Sequence, residues 1–235
     1  MGITSKEEDT VPDSLKWEKN FKESVKYEDG RYQVTFPMKE NYPKITSNFR
    51  AARNRLEKTL KFLIREGIME EYDVIIQDQL KNGIVEPVNW KVKEDDHLVH
   101  YLAHFPHIRR DRETSKVRIV YDASAKSQGG LSLNELVYCG TNYLRDIVGI
   151  ILRFRSYKNV MISDIEKAFL QVGLQSQDRD VTRFLWLKNI KNPVLQDNIQ
   201  VYRFTRVSIW NHSVPISTGS YNQASLGFFP WRTLA

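Results

Sequence analysis

The feature that most constrains this chain is the stretch Val160 to Leu174, VMISDIEKAFLQVGL, in which an apolar run ends on an aspartate and a charged, then aromatic, turn follows at once. Val160, Ile162 and Asp164 alternate at period two, which predicts a strand with the Asp164 side chain at its tip and Ile165, Ala168 and Phe169 winding away on a helix. A strand that runs into a helix points to a mixed α/β fold. It also offers chemistry, because Mg²⁺ is commonly held by one or two carboxylates together with substrate phosphate oxygens. The ordinary alternative is an aspartate that only caps the helix by accepting N–H bonds from its first turn.

The rest of the chain supports an alternating architecture. Met1 to Glu28 is polar with mixed charge, anchored by Trp17 and Phe21, and reads as a loosely ordered lead-in. Arg31 to Met38 alternates like a short strand. A helix is expected from Ser47, as N-cap, to Glu66, with Gly67 as its stop and Phe49, Ala52, Leu56, Leu60 and Leu63 as its apolar stripe. Its other faces carry Arg50, Arg53, Arg55, Lys58 and Lys61. A second helix, Met69 to Lys81, should bury Met69, Tyr72, Ile76 and Leu80 and end at Asn82-Gly83. HLVHYLAHF and KVRIVYD read as a long hairpin, with Val117, Ile119 and Tyr121 on one face of the second strand and Lys116, Arg118, Val120 and Asp122 on the other. A helix from Tyr143 to Arg155 should pack Leu144, Ile147, Ile151 and Phe154, and Val181 to Leu187 and Gln200 to Val207 read as strands.

Taken in order, GRYQV, RLEKTL, HYLAHFPHI, KVRIVYDASAK, GGLSLNELV, LRDIVGIILRFR, DIEKAFLQVGL, QDRDVTRFLW and VYRFTRV resemble the reverse transcriptase region of BEL/Pao long-terminal-repeat retrotransposon polyproteins, from about Gly30 to Val207. The resemblance implies a partial right-hand polymerase: a polar lead-in over 1–30, a helical region over 31–95, and fingers with the first part of the palm over 96–207. It implies RNA-directed DNA polymerase chemistry on an RNA template with a DNA primer and deoxynucleoside triphosphates. Asp164 matches the first catalytic aspartate, with the carbonyl of Ile165 as a second Mg²⁺ ligand. Two metals lower the nucleophile's pKa and stabilise the leaving oxygen of an in-line transfer. Phe169 matches the aromatic beneath the incoming sugar, and Lys116 and Arg118 match the fingers cations that contact triphosphate. Without the family, Phe169 is plain core and the two cations are solvated hairpin residues. Asp122 is expected to brace Arg118 or the adjoining loop.

The second catalytic motif of the family is an aromatic, any residue, and two aspartates on a hairpin. The one adjacent pair, Asp95-Asp96 in KEDDH, lacks those flanks and reads as a surface turn, so a single carboxylate is expected to be too few for a two-metal site. The tail offers a reason. If Ser208 to His212 is shifted one base downstream, Pro-Phe-Gly-Ile-Ile can be written, and the glycine is forced because a tryptophan codon ends in GG and an asparagine codon begins with A. Ser208 to Ala235 is therefore expected to be an out-of-frame translation, and Met1 an internal methionine. The fragment is expected to be inactive alone. The alternatives are a nucleic-acid-binding module without catalysis, or a decayed product.

Composition sets weaker bounds. The 235 residues are 41% hydrophobic and 27% charged, with a net charge of +6, which fits a folded chain with an anionic partner. The single cysteine, Cys139, excludes an internal disulfide and fits a reducing, cytoplasmic setting. No apolar run suggests a membrane partner, and the oligomeric state stays open. His97, His100, His104 and His107 cluster closely enough to suggest zinc, but a strand would divide them between faces.

Overall fold

The computed structural model describes residues 20–39, 48–89, 98–109, 117–126, 129–138, 147–162, 166–193 and 196–207. Within them the chain is mixed α/β, with small sheets packed against a helical pair.

The first helix, α1, spans Phe49–Glu66 and buries Ala52, Leu56, Thr59, Leu60 and Leu63, the stripe that its apolar spacing predicts. Gly67 closes it in the left-handed region, at φ 68° and ψ 28°, while the amides of Gly67 and Ile68 reach back to the carbonyls of Ile64 and Leu63. A glycine takes that conformation without a Cβ clash. The start differs from expectation. The N-cap is Asn48, and its side chain does not cap the helix; it donates to the Tyr101 carbonyl and accepts from the Tyr101 amide, both at 2.7 Å. A tertiary contact that satisfies a buried peptide unit displaces a local cap. Helix α2, Met69–Lys81, follows directly and buries Met69, Tyr72 and Ile76, with Leu80 half-buried.

Strands β1 (Lys26–Glu28) and β2 (Arg31–Val34) form a hairpin across Asp29-Gly30, both at positive φ, where the sequence suggested an irregular lead-in as far as Glu28. β2 stops at Val34 rather than Met38. The Phe36 amide bonds the Asp178 carboxylate at 2.7 Å, and Pro37 has no N–H to extend a ladder. Strand β3 (Val85–Val88) pairs antiparallel with β8 (Ile199–Phe204), which also pairs with β7 (Phe184–Leu187). Strand β7 begins three residues later than Val181, because Ser176–Thr182 coils into a 3-10 turn whose last hydroxyl, on Thr182, donates to the Arg179 carbonyl and accepts from the Phe204 amide.

The third unit is the antiparallel hairpin of β4 (Ala103–Ile108) and β5 (Val117–Asp122), in register Ala103↔Asp122 to Ile108↔Val117. Val117 and Tyr121 are buried and Arg118 is exposed, as alternation predicts. Strand β6 (Gly173–Leu174) lies parallel to β2. Residues on both sides of position 95 build one core, centred on Tyr72, Phe184, Trp186 and Phe204.

Two expectations fail. A short helix α3, Leu133–Leu136, precedes helix α4, which spans Ile147–Ser156 and has no buried residue: Ile147 is 68% exposed and Ile151 45%. Periodicity marks an apolar face but not what covers it, and no described element covers this one; Leu144 lies outside the described residues. Likewise Val160 to Ile162 form no strand, and Met161 is 96% exposed. Alternation alone gives no ladder, and no strand among the described residues pairs with these.

Candidate functional site

Arg118, Val120 and Asp122 share the outer face of β5 with Ala103, Phe105 and His107 of β4, because directly opposed residues of an antiparallel pair project to one side. Phe105, His107 and Arg118 are exposed, and Arg118 has no carboxylate partner among the described residues. Asp122 braces the loop, as expected, but not Arg118. It accepts from the Ser124 amide and hydroxyl, and from Arg55 of α1 at 2.7 Å. Partial burial pushes the Asp122 carboxyl up, yet the bonds from Ser124 and Arg55 outweigh it and hold the group below its usual range. Lys116 lies outside the described residues.

Phe169 is half-buried on a 3-10 turn, Ala168–Gln171, entered through Lys167 at φ 49°. The turn is held on three sides. Arg31 donates to the Gln171 side chain at 3.1 Å, Arg206 to the Leu170 carbonyl at 3.1 Å, and the Val207 amide to the Val172 carbonyl at 3.0 Å. Strand β6 then locks between β2 and Thr205. The segment after the aspartate is therefore anchored at both ends of the fold, while Asp164 and Ile165 lie outside the described residues. No hydrogen bond or ion pair joins Arg118 to this turn among the described residues.

Two of the clustered histidines are core groups. His104 Nε2 donates to the Leu185 carbonyl at 2.8 Å, which leaves Nδ1 to accept from the Tyr72 hydroxyl at 2.6 Å. With both nitrogens engaged, its ring has no lone pair for zinc. Burial lowers its pKa to about 4, against the opposing carbonyl bond. His100 is fully buried with neither nitrogen partnered, and burial lowers it to about 4 as well. His107 faces outward, and His97 lies outside the described residues. Asp95 and Asp96 do so too.

Sequence reasoning missed a charged cluster built around the second 3-10 turn, Ser176–Thr182. Asp180, buried, accepts from Arg183 at 2.8 Å and from Arg203 at 2.9 Å, while Glu86 of β3 accepts from Arg203 at 2.7 Å and Arg179 at 3.3 Å. Burial pushes Asp180 up, but the two guanidinium groups prevail and lower it. Nearby Asp178 has only the Phe36 amide for compensation, and burial pushes it up to about 6. The available signal was the i,i+3 spacing of Asp180 and Arg183 in the charged run just before the apolar strand Phe184–Leu187.

No family model matches the chain, and no curated protein is significantly similar to it. No helix among the described residues is long and apolar enough to cross a membrane.

Proposed function

We propose that this chain derives from a retroelement reverse transcriptase of BEL/Pao type, in which the β4–β5 hairpin is the fingers element that meets a nucleoside triphosphate and the anchored Phe169 turn carries the palm's first motif. The observation that carries this reading is the ordered motif set, joined to an exposed Arg118 that no carboxylate among the described residues neutralises. A charge-assisted guanidinium–phosphate contact is the strong kind, and an arginine already paired would gain little from a phosphate. Asp164, with the carbonyl of Ile165, would hold Mg²⁺, and the metal would supply an activated nucleophile and a stabilised leaving oxygen. Phe169, by its half-burial, would present one ring face to a sugar while Arg31, on the Gln171 side chain, and Arg206, on the Leu170 carbonyl, hold the turn that carries it.

Because these residues offer no second aspartate motif, the chain by itself should bind but not incorporate. The test is primer extension on an RNA template with Mg²⁺ and four deoxynucleotides, run beside Asp164→Ala, with binding of an RNA–DNA hybrid measured across salt. The expected outcome is hybrid binding that weakens as salt rises and no extension by either protein. Extension abolished by Asp164→Ala would show that a second carboxylate is recruited from elsewhere; absence of both binding and extension would remove the proposal.

A second reading, a nucleic-acid-binding module without catalysis, is favoured by the exposed cations of α1: Arg50, Lys58 and Lys61 stand free of ion pairs among the described residues. Replacing these three with glutamine should lower hybrid affinity if that face is used.

A further inference from the structure

The geometry points to a second copy of this chain as the partner of the outer edge of β5, paired antiparallel about a two-fold axis at Ile119. In an antiparallel pair, residues whose peptide groups face the neighbouring strand alternate with residues whose groups face away. On β4 the outward set is identified by its bonds: the Leu102 amide donates to the Arg183 carbonyl, the His104 carbonyl accepts from Thr59, and Pro106 has no N–H at all. His104 and Pro106 oppose Tyr121 and Ile119. It follows that Val117, Ile119 and Tyr121 turn their N–H and C=O groups away from β4. The next residue of this set, Ala123, confirms the phase, since its carbonyl already accepts from Asn134.

Among the described residues no group bonds the outer side of Val117, Ile119 or Tyr121, so the open edge runs over these residues and closes at Ala123. An unpaired edge of this kind is a template for strand addition. The edge is self-complementary. Centring two copies on Ile119 opposes Ile119 with itself and Val117 with Tyr121 of the other copy, which uses every outward backbone group on both strands. It sets the buried residue types Val117, Ile119 and Tyr121 on one continuous face. On the other face Arg118 opposes Val120 of the second copy and stands diagonally from both Arg118 and Asp122 of that copy, so the pairing rests on the backbone groups and the apolar face rather than on Arg118. The inference is independent of polymerase chemistry, and its test involves no nucleotide.

The experiment is sedimentation equilibrium of the full chain over a concentration series, with hydrogen exchange measured at low and high concentration. The expected result is a dimer in which the amides of Val117, Ile119 and Tyr121 gain protection as it forms. Ile119→Pro removes one outward N–H while sparing the ladder to β4, as Pro106 does on the opposite strand, and should weaken the dimer by at least about tenfold. Far-UV circular dichroism checks that the variant folds; if it does not, the exchange measurement on the unaltered chain decides. A chain that stays monomeric at every attainable concentration, or a dimer that leaves those three amides unprotected and protects α4 instead, would overturn the inference.

Discussion

Tyr72 and His104 show how one hydrogen bond fixes a tautomer inside a core. Since Nε2 donates to Leu185, Nδ1 must accept, and Tyr72→Phe would strand that lone pair in a buried site. A loss of about 1–3 kcal/mol is expected in urea unfolding, the cost of an unsatisfied buried acceptor. The acid response follows from the same rings. His100 and His104 have folded pKa values lowered to about 4, so the unfolded chain takes up protons first as pH falls below the ordinary histidine value, and their contribution is present above that value and lost between it and about pH 4. Asp178 works in the opposite sense. Its folded pKa is raised to about 6, so its contribution is present below the ordinary aspartate value and lost as pH rises through about 6. Two histidines outweigh one aspartate, and stability should fall from pH 7 toward pH 4.5. Asp178→Asn should raise stability at pH 7 and steepen that fall, and thermal melts across this range will show it. A melt profile left unchanged by the substitution would contradict the placement of Asp178 away from solvent.

At the scale of elements, α1 and α4 have similar apolar patterns and opposite fates. Leu60 of α1 is buried, and Leu60→Ala should cost about 2–5 kcal/mol. Leu152 of α4 is 62% exposed, and Leu152→Gln should change stability by no more than about 0.5 kcal/mol. Chemical denaturation of both variants compares the two helices directly; a loss at Leu152 matching that at Leu60 would mean that α4 is covered. The Asp180 cluster is the other element-scale device, since it ties the 3-10 turn of Ser176–Thr182 to β8 and, through Glu86 and Arg203, to β3. Arg203→Met leaves each acid one arginine, Arg183 for Asp180 and Arg179 for Glu86, and should destabilise by about 1–3 kcal/mol in the same assay, the range for losing charge-assisted hydrogen bonds.

On the scale of the whole molecule, an apolar helix that nothing described covers is followed by the exposed Val160, Met161 and Ile162, apolar area of the kind that promotes association. Much of the architecture was legible beforehand. The stripe of α1, the Gly67 stop, the limits of α2 and the facing of Val117, Arg118 and Tyr121 all follow from period and from one residue's freedom at positive φ, which are properties of neighbours along the chain. Of the candidate site, the sequence placed Arg118 on an exposed strand face but expected Phe169 on a helix, where the structure has a four-residue 3-10 turn. It could not show that Arg31 and Arg206, distant in the chain, fasten that turn. Nor could it show that Asn48 would abandon its cap for Tyr101, that His100 and His104 would be core groups, or that α4 would stay bare. Periodicity determined which side of an element is apolar; only the tertiary structure decided which of those sides is covered, because covering depends on residues that sequence distance does not bring together.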